Sequence, residues 1–311
     1  MIKKWSSRLT FFAFVVLMVG LGSNDSLRGI FSTIFQEHFS LTTTQLGLIV
    51  TASYIGNLVF LLVGGNLSTR FSKKRVLQVL ILIWMAALAL FAFTSNYTVL
   101  LIGMALALGS STLLNTTMNL ITPLLFATAP GFFVNFLFFT QEIGTSGSQY
   151  ILGSHADGFA FWQHTNLVLL ILGAVAFVLL LFCNVPEEAA APADAPAQKG
   201  GYDWRIIVPY VLVFGFYFIA EHGVMNWMVA YGVDGLGLPQ ASAAKYLSVF
   251  FGGMMIGRLC LSPLVDKLGA LKSLAAFGGV SCVLYLIGSL GGAVTMPVWA
   301  ISGLSFSILY P

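Results

Sequence analysis

Charged side chains are scarce in this chain, and their scarcity excludes an ordinary soluble protein. Of its 311 residues, 8% are charged and 58% are hydrophobic, whereas a soluble domain carries about 25% charged residues. The formal net charge of +3 is too small to indicate a nucleic-acid partner. The composition therefore predicts a protein that crosses the lipid bilayer several times.

Cysteines and catalytic motifs are also scarce. The three cysteines, Cys183, Cys260 and Cys282, lie in or beside apolar runs without metal-ligand spacing. We therefore expect buried thiols, with no disulfide and no metal site. The sequence has no ATP-binding motif and no nucleophile set, so we expect neither an enzyme nor a bound cofactor.

Long apolar runs make up most of the sequence. A helix needs about 20 mostly apolar residues to cross the hydrocarbon layer of a membrane. We predict spans at about 9–34, 44–66, 75–94, 98–124, 130–153, 166–184, 206–232, 242–264 and 272–291, and a tenth from Met296 to the end of the chain. We expect three parts: a six-helix bundle (1–184), a flexible linker (185–204) rich in Ala, Pro and acidic residues, and a second bundle (205–311) that is incomplete, with four helices.

Among the loops between these spans, lysine and arginine occur on one side only, and Lys245 lies just inside the eighth span. They are present at the N-terminus, between the second and third spans, in the linker and between the eighth and ninth spans. Opposite loops such as QEHFSLTTT and GGAVTMP have none. Basic loops stay in the cytoplasm, so we predict a cytoplasmic N-terminus and linker. We expect a monomer in a bacterial inner membrane.

The two halves contain a repeat. GGNLSTRFSKKRVL (64–77) and LSPLVDKLGALKSL (261–274) are similar and lie 197 residues apart. Two parallel six-helix halves are typical of one large class of transporters. The same offset carries Asp25, inside the apolar first span, to position 222 in the seventh span, where Glu221 and His222 stand.

Polar residues inside the spans need a reason, because a charge at bilayer depth costs roughly 2.5 to 3.5 kcal/mol on insertion scales. Asp25 and Arg28 share a helix face, which fits either a self-neutralising pair or a proton acceptor beside an anion-binding group. Asn115 and Asn119 also share a face. They fit either ligands for solute hydroxyls or bonds between helices worth about 0.6 kcal/mol each.

The fifth and seventh spans carry further polar residues. Gln141 is a candidate solute ligand, and Glu142 is either a second titrating group or an acid that reaches water at the helix end. His222 and Asn226 share one face, and His222 beside an acid is a plausible proton partner. Trp227 fits either stacking on a sugar ring or an interfacial position.

The two basic repeats resemble the signature of the major facilitator superfamily, in which glycines, an acid and bases form a cytoplasmic gate. The resemblance implies that the gating loops contain Gly65, Arg70, Lys73 and Lys74 in the first copy, and Gly257, Arg258, Asp266, Lys267 and Gly269 in the second. Thr69 stands where the first copy usually has its acid.

Within that superfamily, Asn24-Asp25, LNTTMN (114–119), NFLFFTQEIG (135–144) and SILYP resemble the fucose permease branch of sugar:proton symporters. The branch carries a glutamate in its fourth helix that acts with the first-helix aspartate, and Asn115 stands there in this chain. The resemblance therefore implies that Asp25 carries the proton, alone or with another titrating group.

We predict an all-α membrane protein with the major facilitator fold, two six-helix bundles that end here within helix ten. Its predicted function is proton-coupled uptake of a small polar solute such as a sugar. We expect proton coupling by Asp25, Glu142, Glu221 and His222, and solute binding by Asn24, Arg28, Asn115, Asn119, Gln141, Asn226 and Trp227. The alternatives are a proton-antiport exporter of apolar compounds, or a membrane sensor or interaction protein without transport.

Overall fold

The chain folds almost entirely into α-helices. The computed structural model describes residues 2–128, 130–183, 185–186 and 204–309, with side chains at all of these except 2–6, 65–70, 206, 259, 262–263, 266 and 270. Most of the predicted linker, residues 187–203, lies outside the described residues, so the linker stays a prediction.

The described residues form twelve α-helices along the chain. They are α1 (Ile2–Ile30), α2 (Ser32–His38), α3 (Thr43–Arg70), α4 (Lys73–Phe93), α5 (Tyr97–Leu125), α6 (Pro130–Ile151), α7 (Phe159–Leu181), α8 (Trp204–Ala230), α9 (Gln240–Leu268), α10 (Ala270–Leu290), α11 (Met296–Ile301) and α12 (Gly303–Phe306). A π-helical turn, Tyr231–Gly235, extends α8, and a 3₁₀ turn, Ala293–Thr295, precedes α11.

Seven of the described helices are long and apolar enough to cross a membrane, namely α1, α3, α4, α5, α7, α8 and α10. The chain is therefore an integral membrane protein. α6 is not among the seven, because it carries a polar face on which Glu142, Thr145 and Gln149 are buried. This face packs against α1 and α9, and the helices of the two halves thereby cover polar atoms that lipid could not satisfy.

Three predicted spans differ from the helices. The tenth, predicted as one helix from Met296, is divided at Ser302 into α11 and α12. The first predicted span breaks at Phe31 into α1 and α2. The sixth was expected from residue 166, but α7 begins at Phe159. Gln163 and His164 interrupt the apolar run there, whereas the rings of Phe159 and Trp162 are buried against Phe35 of α2, with centroids 6.5 and 4.8 Å from its ring.

Short turns between the helices use local capping chemistry. Ser72 Oγ accepts a hydrogen bond from the amide of Arg75 at the start of α4, and Asn96 Oδ1 accepts one from Val99 at the start of α5. Gly269 separates α9 from α10 with a φ of +83°, a conformation that glycine adopts without a Cβ clash. These residues allow consecutive helices to be joined by one to three residues.

Two apolar cores form, one on each side of the predicted linker. The first contains residues between Ala13 and Cys183 on α1–α7. The second contains residues between Tyr217 and Phe306 on α8–α12. Cys183 is buried as expected, but Cys260 and Cys282 are exposed, so the prediction of three buried thiols is wrong for two of them. Both lie on outer faces of the second bundle, where an apolar surface suits a thiol.

The two halves meet through α1 with α8 and α6 with α9. A Cβ at Gly29 would overlap the carbonyl oxygen of Met225, so only glycine permits this approach of α1 to α8. Gln240 Nε2 donates to the carbonyl oxygen of Ile30 (2.6 Å). Ser146 and Ser248 each donate to the other's backbone carbonyl, at 3.0 and 2.9 Å.

The bundle has two different ends. We call the end where α1 and α8 begin the basic end, because Arg8, Arg75, Lys267 and Lys272 lie there. The other is the opposite end. The contacts between halves described above lie between the middle of the bundle and the opposite end, so this end is closed.

Candidate functional site

A cavity of about 1220 Å³ lies between the two halves. Leu61 and Leu120, on its walls toward the basic end, are 41% and 55% exposed, whereas Arg28 and Asn226 at its deep end are 4% and 2% exposed. The cavity therefore opens toward the basic end and is closed by the contacts at the opposite end.

Ten of the residues predicted to bind solute or protons border this cavity. They are Asp25, Arg28, Asn115, Asn119, Gln141, Glu142, Glu221, His222, Asn226 and Trp227. Asn24 lies behind Asp25 and is buried. The structure thus brings together residues that are up to about 200 positions apart in sequence, and their roles stay predictions.

Asp25 accepts hydrogen bonds on both carboxylate oxygens. Ser111 Oγ of α5 lies 3.2 and 3.3 Å from them, and Asn24 Nδ2 donates to Oδ1 at 3.3 Å. The side chain remains 16% exposed. Asp25 is therefore held in one orientation by neutral donors while its edge still faces the cavity, as a group that exchanges a proton must.

Arg28 is less well satisfied than Asp25. Its Nη1 lies 4.0 Å from Asp25 Oδ1, the outer limit for an ion pair, and its side chain is 3% exposed. Its Nε donates to Asn226 Oδ1 at 3.4 Å. Nη1 makes no hydrogen bond to any described atom. The pair is thus not the tight, self-neutralising contact that would explain both charges structurally.

Asn226 joins the halves beneath the cavity. Besides accepting from Arg28, it donates from Nδ2 to the hydroxyl oxygen of Tyr54 (3.2 Å) and to the carbonyl of His222 (2.7 Å). The His222 ring lies 5.6 Å from that of Tyr54. The helices α1, α3 and α8 are thus tied at one polar junction next to Asp25.

A chain of amides lines the wall formed by α5 and α6. Asn119 Nδ2 donates to Asn115 Oδ1, and Asn115 Nδ2 donates to Gln141 Oε1, both at 2.6 Å. Asn119 Oδ1 has no donor among the described atoms. These hydrogen bonds therefore fix the orientations of the three amides and leave one acceptor, Asn119 Oδ1, without a donor in the described part of the chain. The bond from Asn115 to Gln141 joins α5 to α6, as the reading of bonds between helices expects, and the reading as solute ligands stays a prediction.

An ion pair crosses between the halves deeper along α6. Arg258 Nη1 of α9 donates to Glu142 Oε1 at 2.8 Å. Glu221 of α8 interacts electrostatically with the same arginine. Arg258 thus pairs with the carboxylate of Glu142 from the other half and lies within electrostatic reach of Glu221 from its own half. Glu142 is engaged with this arginine and does not reach water at a helix end.

The predicted gating residues separate into three groups. Gly257 and Arg258 lie within α9, well before its end at Leu268, so their prediction as loop residues is wrong. Both residues precede the second repeat (261–274) in the sequence, and α9 continues through them to the turn at Gly269. Gly257 packs against Leu304 and Ser307, near α12.

Other gating residues lie at the basic end. Lys74 Nζ donates to the carbonyl oxygens of Leu181 (3.0 Å) and Cys183 (2.7 Å), so it holds the end of α7. Lys73 starts α4, Lys267 is exposed in the last turn of α9, and Gly269 forms the turn. Three further predicted gating residues, Gly65, Arg70 and Asp266, stand at positions where the structure describes the backbone only.

Some cavity residues were not found from the sequence. Tyr54 and Ser111 contact Asn226 and Asp25 directly. Ser111 lies four residues before Asn115 and therefore shares its helix face, which is a signal that could have identified it. Tyr54 is an aromatic residue in an apolar run, and only the fold shows its hydroxyl turned inward. Within the described residues, no group of three or more His, Cys, Asp or Glu could hold a metal ion.

Comparison with known proteins identifies the architecture. The model of the Major Facilitator Superfamily matches residues 10–311. The L-fucose-proton symporter of Escherichia coli (strain K12) is 24% identical over 92% of this chain and 74% of its own length. The cis,cis-muconate transport protein of Acinetobacter baylyi is 24% identical over 88% and 70%. The solved structure of the transporter FucP in the outward conformation has a TM-score of 0.65 at 19% identity and covers 98% of this chain and 83% of that one.

Proposed function

The chain belongs to the Major Facilitator Superfamily, and from this premise we propose that it takes up a small polar solute together with a proton. A sugar or a sugar derivative is the solute class that fits the cavity. The observation that carries the proposal is a cavity between the two halves in which the partly exposed carboxylate of Asp25 lies beside a chain of amides. The printed name of a relative, an L-fucose-proton symporter, supports the same function.

Solute binding would use the polar wall of the cavity. Asn115, Asn119 and Gln141 offer amide donors and acceptors, which suit hydroxyl groups that both donate and accept. Trp227 offers an apolar ring on the facing wall. These groups favour a hydrophilic solute over an apolar one, and each contact would exchange a hydrogen bond to water for one to the protein.

Proton coupling would centre on Asp25. The charged and titratable groups that face it are Arg28 on the same helix, His222 on α8 and, one contact further, Tyr54 on α3. Protonation of Asp25 would leave Ser111 and Asn24 able to reorient and would remove the charge opposite Arg28. Glu142 and Glu221 both interact with Arg258. They would act as a second proton site, whose surroundings change when the halves separate.

Alternating access would follow from rocking of the halves. The opposite end is closed in this structure, and the cavity opens toward the basic end. Because basic loops stay in the cytoplasm, we propose that this is the state that releases solute inward. The protein would act as a monomer in the inner membrane of a bacterium.

The test uses the chain in proteoliposomes with an imposed pH gradient. Radiolabelled hexoses and hexuronates are offered, and accumulation above the equilibrium level is measured. Asp25→Asn should abolish accumulation, whereas Asp157→Asn, which removes an exposed carboxylate in the α6–α7 turn, should not. Accumulation by Asp25→Asn that keeps its full dependence on the gradient would contradict the coupling role.

A further inference from the structure

Arg28 has more hydrogen-bonding capacity than the protein uses. The residue is 4% exposed, Nη1 has no hydrogen bond among the described residues, and the residue borders the cavity. A buried donor of this kind costs free energy unless a partner arrives, and a buried charge costs more. The other arginine of the cavity, Arg258, also has one nitrogen, Nε, without a hydrogen bond among the described residues, but its charge is paired with the carboxylate of Glu142 at 2.8 Å.

Asp25 does not fill this role. It stands 4.0 Å from Nη1 and accepts its hydrogen bonds from Ser111 and Asn24 instead. When Asp25 carries a proton, as the proposed function requires, its charge no longer compensates the guanidinium. The deep end of the cavity then holds a positive charge whose Nη1 donor has no hydrogen-bond partner among the described residues.

A second unfilled atom lies on the same cavity. Asn119 Oδ1 is buried and accepts no hydrogen bond from a described atom. This oxygen can accept a hydrogen bond from a donor such as a hydroxyl group. The guanidinium of Arg28 can donate to an anion that lies in its plane. A carboxylate has this geometry.

We propose that the solute is a hydroxylated monocarboxylate, such as a sugar acid, whose carboxylate binds Arg28 and whose hydroxyls bind the amide chain that ends at Asn119. The proposal rests on the proposed function and narrows its solute class. It also predicts the charge that is moved: one carboxylate enters with one proton on Asp25, so the transport step carries no net charge.

Matched solutes test the carboxylate. D-glucuronate and D-galacturonate differ from D-glucose and D-galactose by a carboxylate in place of the C6 hydroxymethyl group. Isothermal titration of the purified chain in detergent should show binding of at least one uronate that is at least about 10-fold tighter than binding of its hexose. Arg28→Gln should weaken uronate binding by about 10- to 100-fold, the range expected for a charge-assisted contact, and should weaken hexose binding much less.

Two further variants, Arg75→Gln and Arg28→Lys, test whether a loss of binding comes from misfolding, and a third, Asn119→Ala, tests the hydroxyl contact. Arg75→Gln removes an arginine from the exposed basic end and should leave all four solutes unaffected. Arg28→Lys keeps the charge and should recover part of the uronate affinity. Asn119→Ala should weaken uronate and hexose binding alike, because it removes a hydroxyl contact. Equal binding of uronate and hexose, binding of neither uronate, or uronate binding that Arg28→Gln does not weaken overturns the proposal.

Proteoliposomes supply an independent readout of the charge moved. Uptake of the bound uronate under a pH gradient should not change when a potassium gradient with valinomycin imposes a membrane potential. Uptake that rises with the potential overturns the one-proton balance. If hexoses accumulate with protons and uronates do not bind, this inference fails while the proposed function stands. If uronates bind through Arg28 but no gradient drives them, the proposed function fails and the binding site stands.

Discussion

The approach of α1 to α8 at Gly29 provides a direct way to bias the closed end of the bundle. Gly29→Ala would put a methyl group where the Met225 carbonyl oxygen now lies. Carbon–oxygen contacts need roughly 3.3 Å or more, so the helices would have to separate by about 1 Å or more. Asn226, next to Met225, would then move away from Arg28 and Tyr54, which it now contacts at 3.4 and 3.2 Å.

The size of the effect follows from these contacts. Overpacking of a close helix contact costs about 1 to 3 kcal/mol, and each lost bond between helices in a membrane costs about 0.6 kcal/mol. With two such bonds lost, the closed state loses about 2 to 4 kcal/mol. This shifts the ratio of closed to open molecules by roughly 30- to 900-fold, which is large enough to reverse the preference for the closed opposite end.

Distance measurements between spin labels can detect that shift. Asp157 and Asp234 are exposed, lie one on each half and border the same small cavity at the opposite end. With the three native cysteines replaced and labels at 157 and 234, we expect a short distance in the parent and a longer one in Gly29→Ala. The matched control is Gly215→Ala, since a Cβ at Gly215 of α8 meets nothing within 4 Å. An unchanged distance in folded Gly29→Ala would refute the reasoning.

Further variants test other contacts. Glu142→Gln should lower the thermal unfolding midpoint by a few degrees, because it takes about 1.5 kcal/mol of charge-assisted bonding from Arg258, and Glu142→Gln/Arg258→Gln should regain part of it; equal midpoints would argue against the pair. Lys74→Met should raise the maleimide reactivity of Cys183, measured with the other two thiols replaced, since Lys74 holds that segment. Asn115→Ala should weaken solute binding about 10-fold, read by titration, while uptake keeps its pH dependence.

The helices were largely predictable because lipid imposes a single length scale on apolar runs. Polar residues inside those runs, such as Asp25 and Asn226, could be identified as cavity candidates for the same reason. Pairs four residues apart, such as Asn115 and Asn119, were correctly expected to share a face, because helix geometry alone determines it.

Contacts between the halves could not be predicted in this way. Arg258 pairs with Glu142 across 116 positions, and no local pattern encodes which helices of two bundles meet. The sequence instead suggested a loop role for Arg258, since a basic residue near a repeat is usually explained by topology. Tyr54 was missed because an aromatic ring in an apolar run gives no indication of where its hydroxyl points.

Proton movement during solute entry tests the central claim most directly. Proteoliposomes that contain the chain and the trapped pH dye pyranine are mixed with the solute that binds, at equal pH on both sides. The account predicts internal acidification that follows solute entry, and in Asp25→Asn solute entry down its gradient without acidification. Acidification of equal size in Asp25→Asn, or solute entry into parent vesicles without any proton, would contradict it.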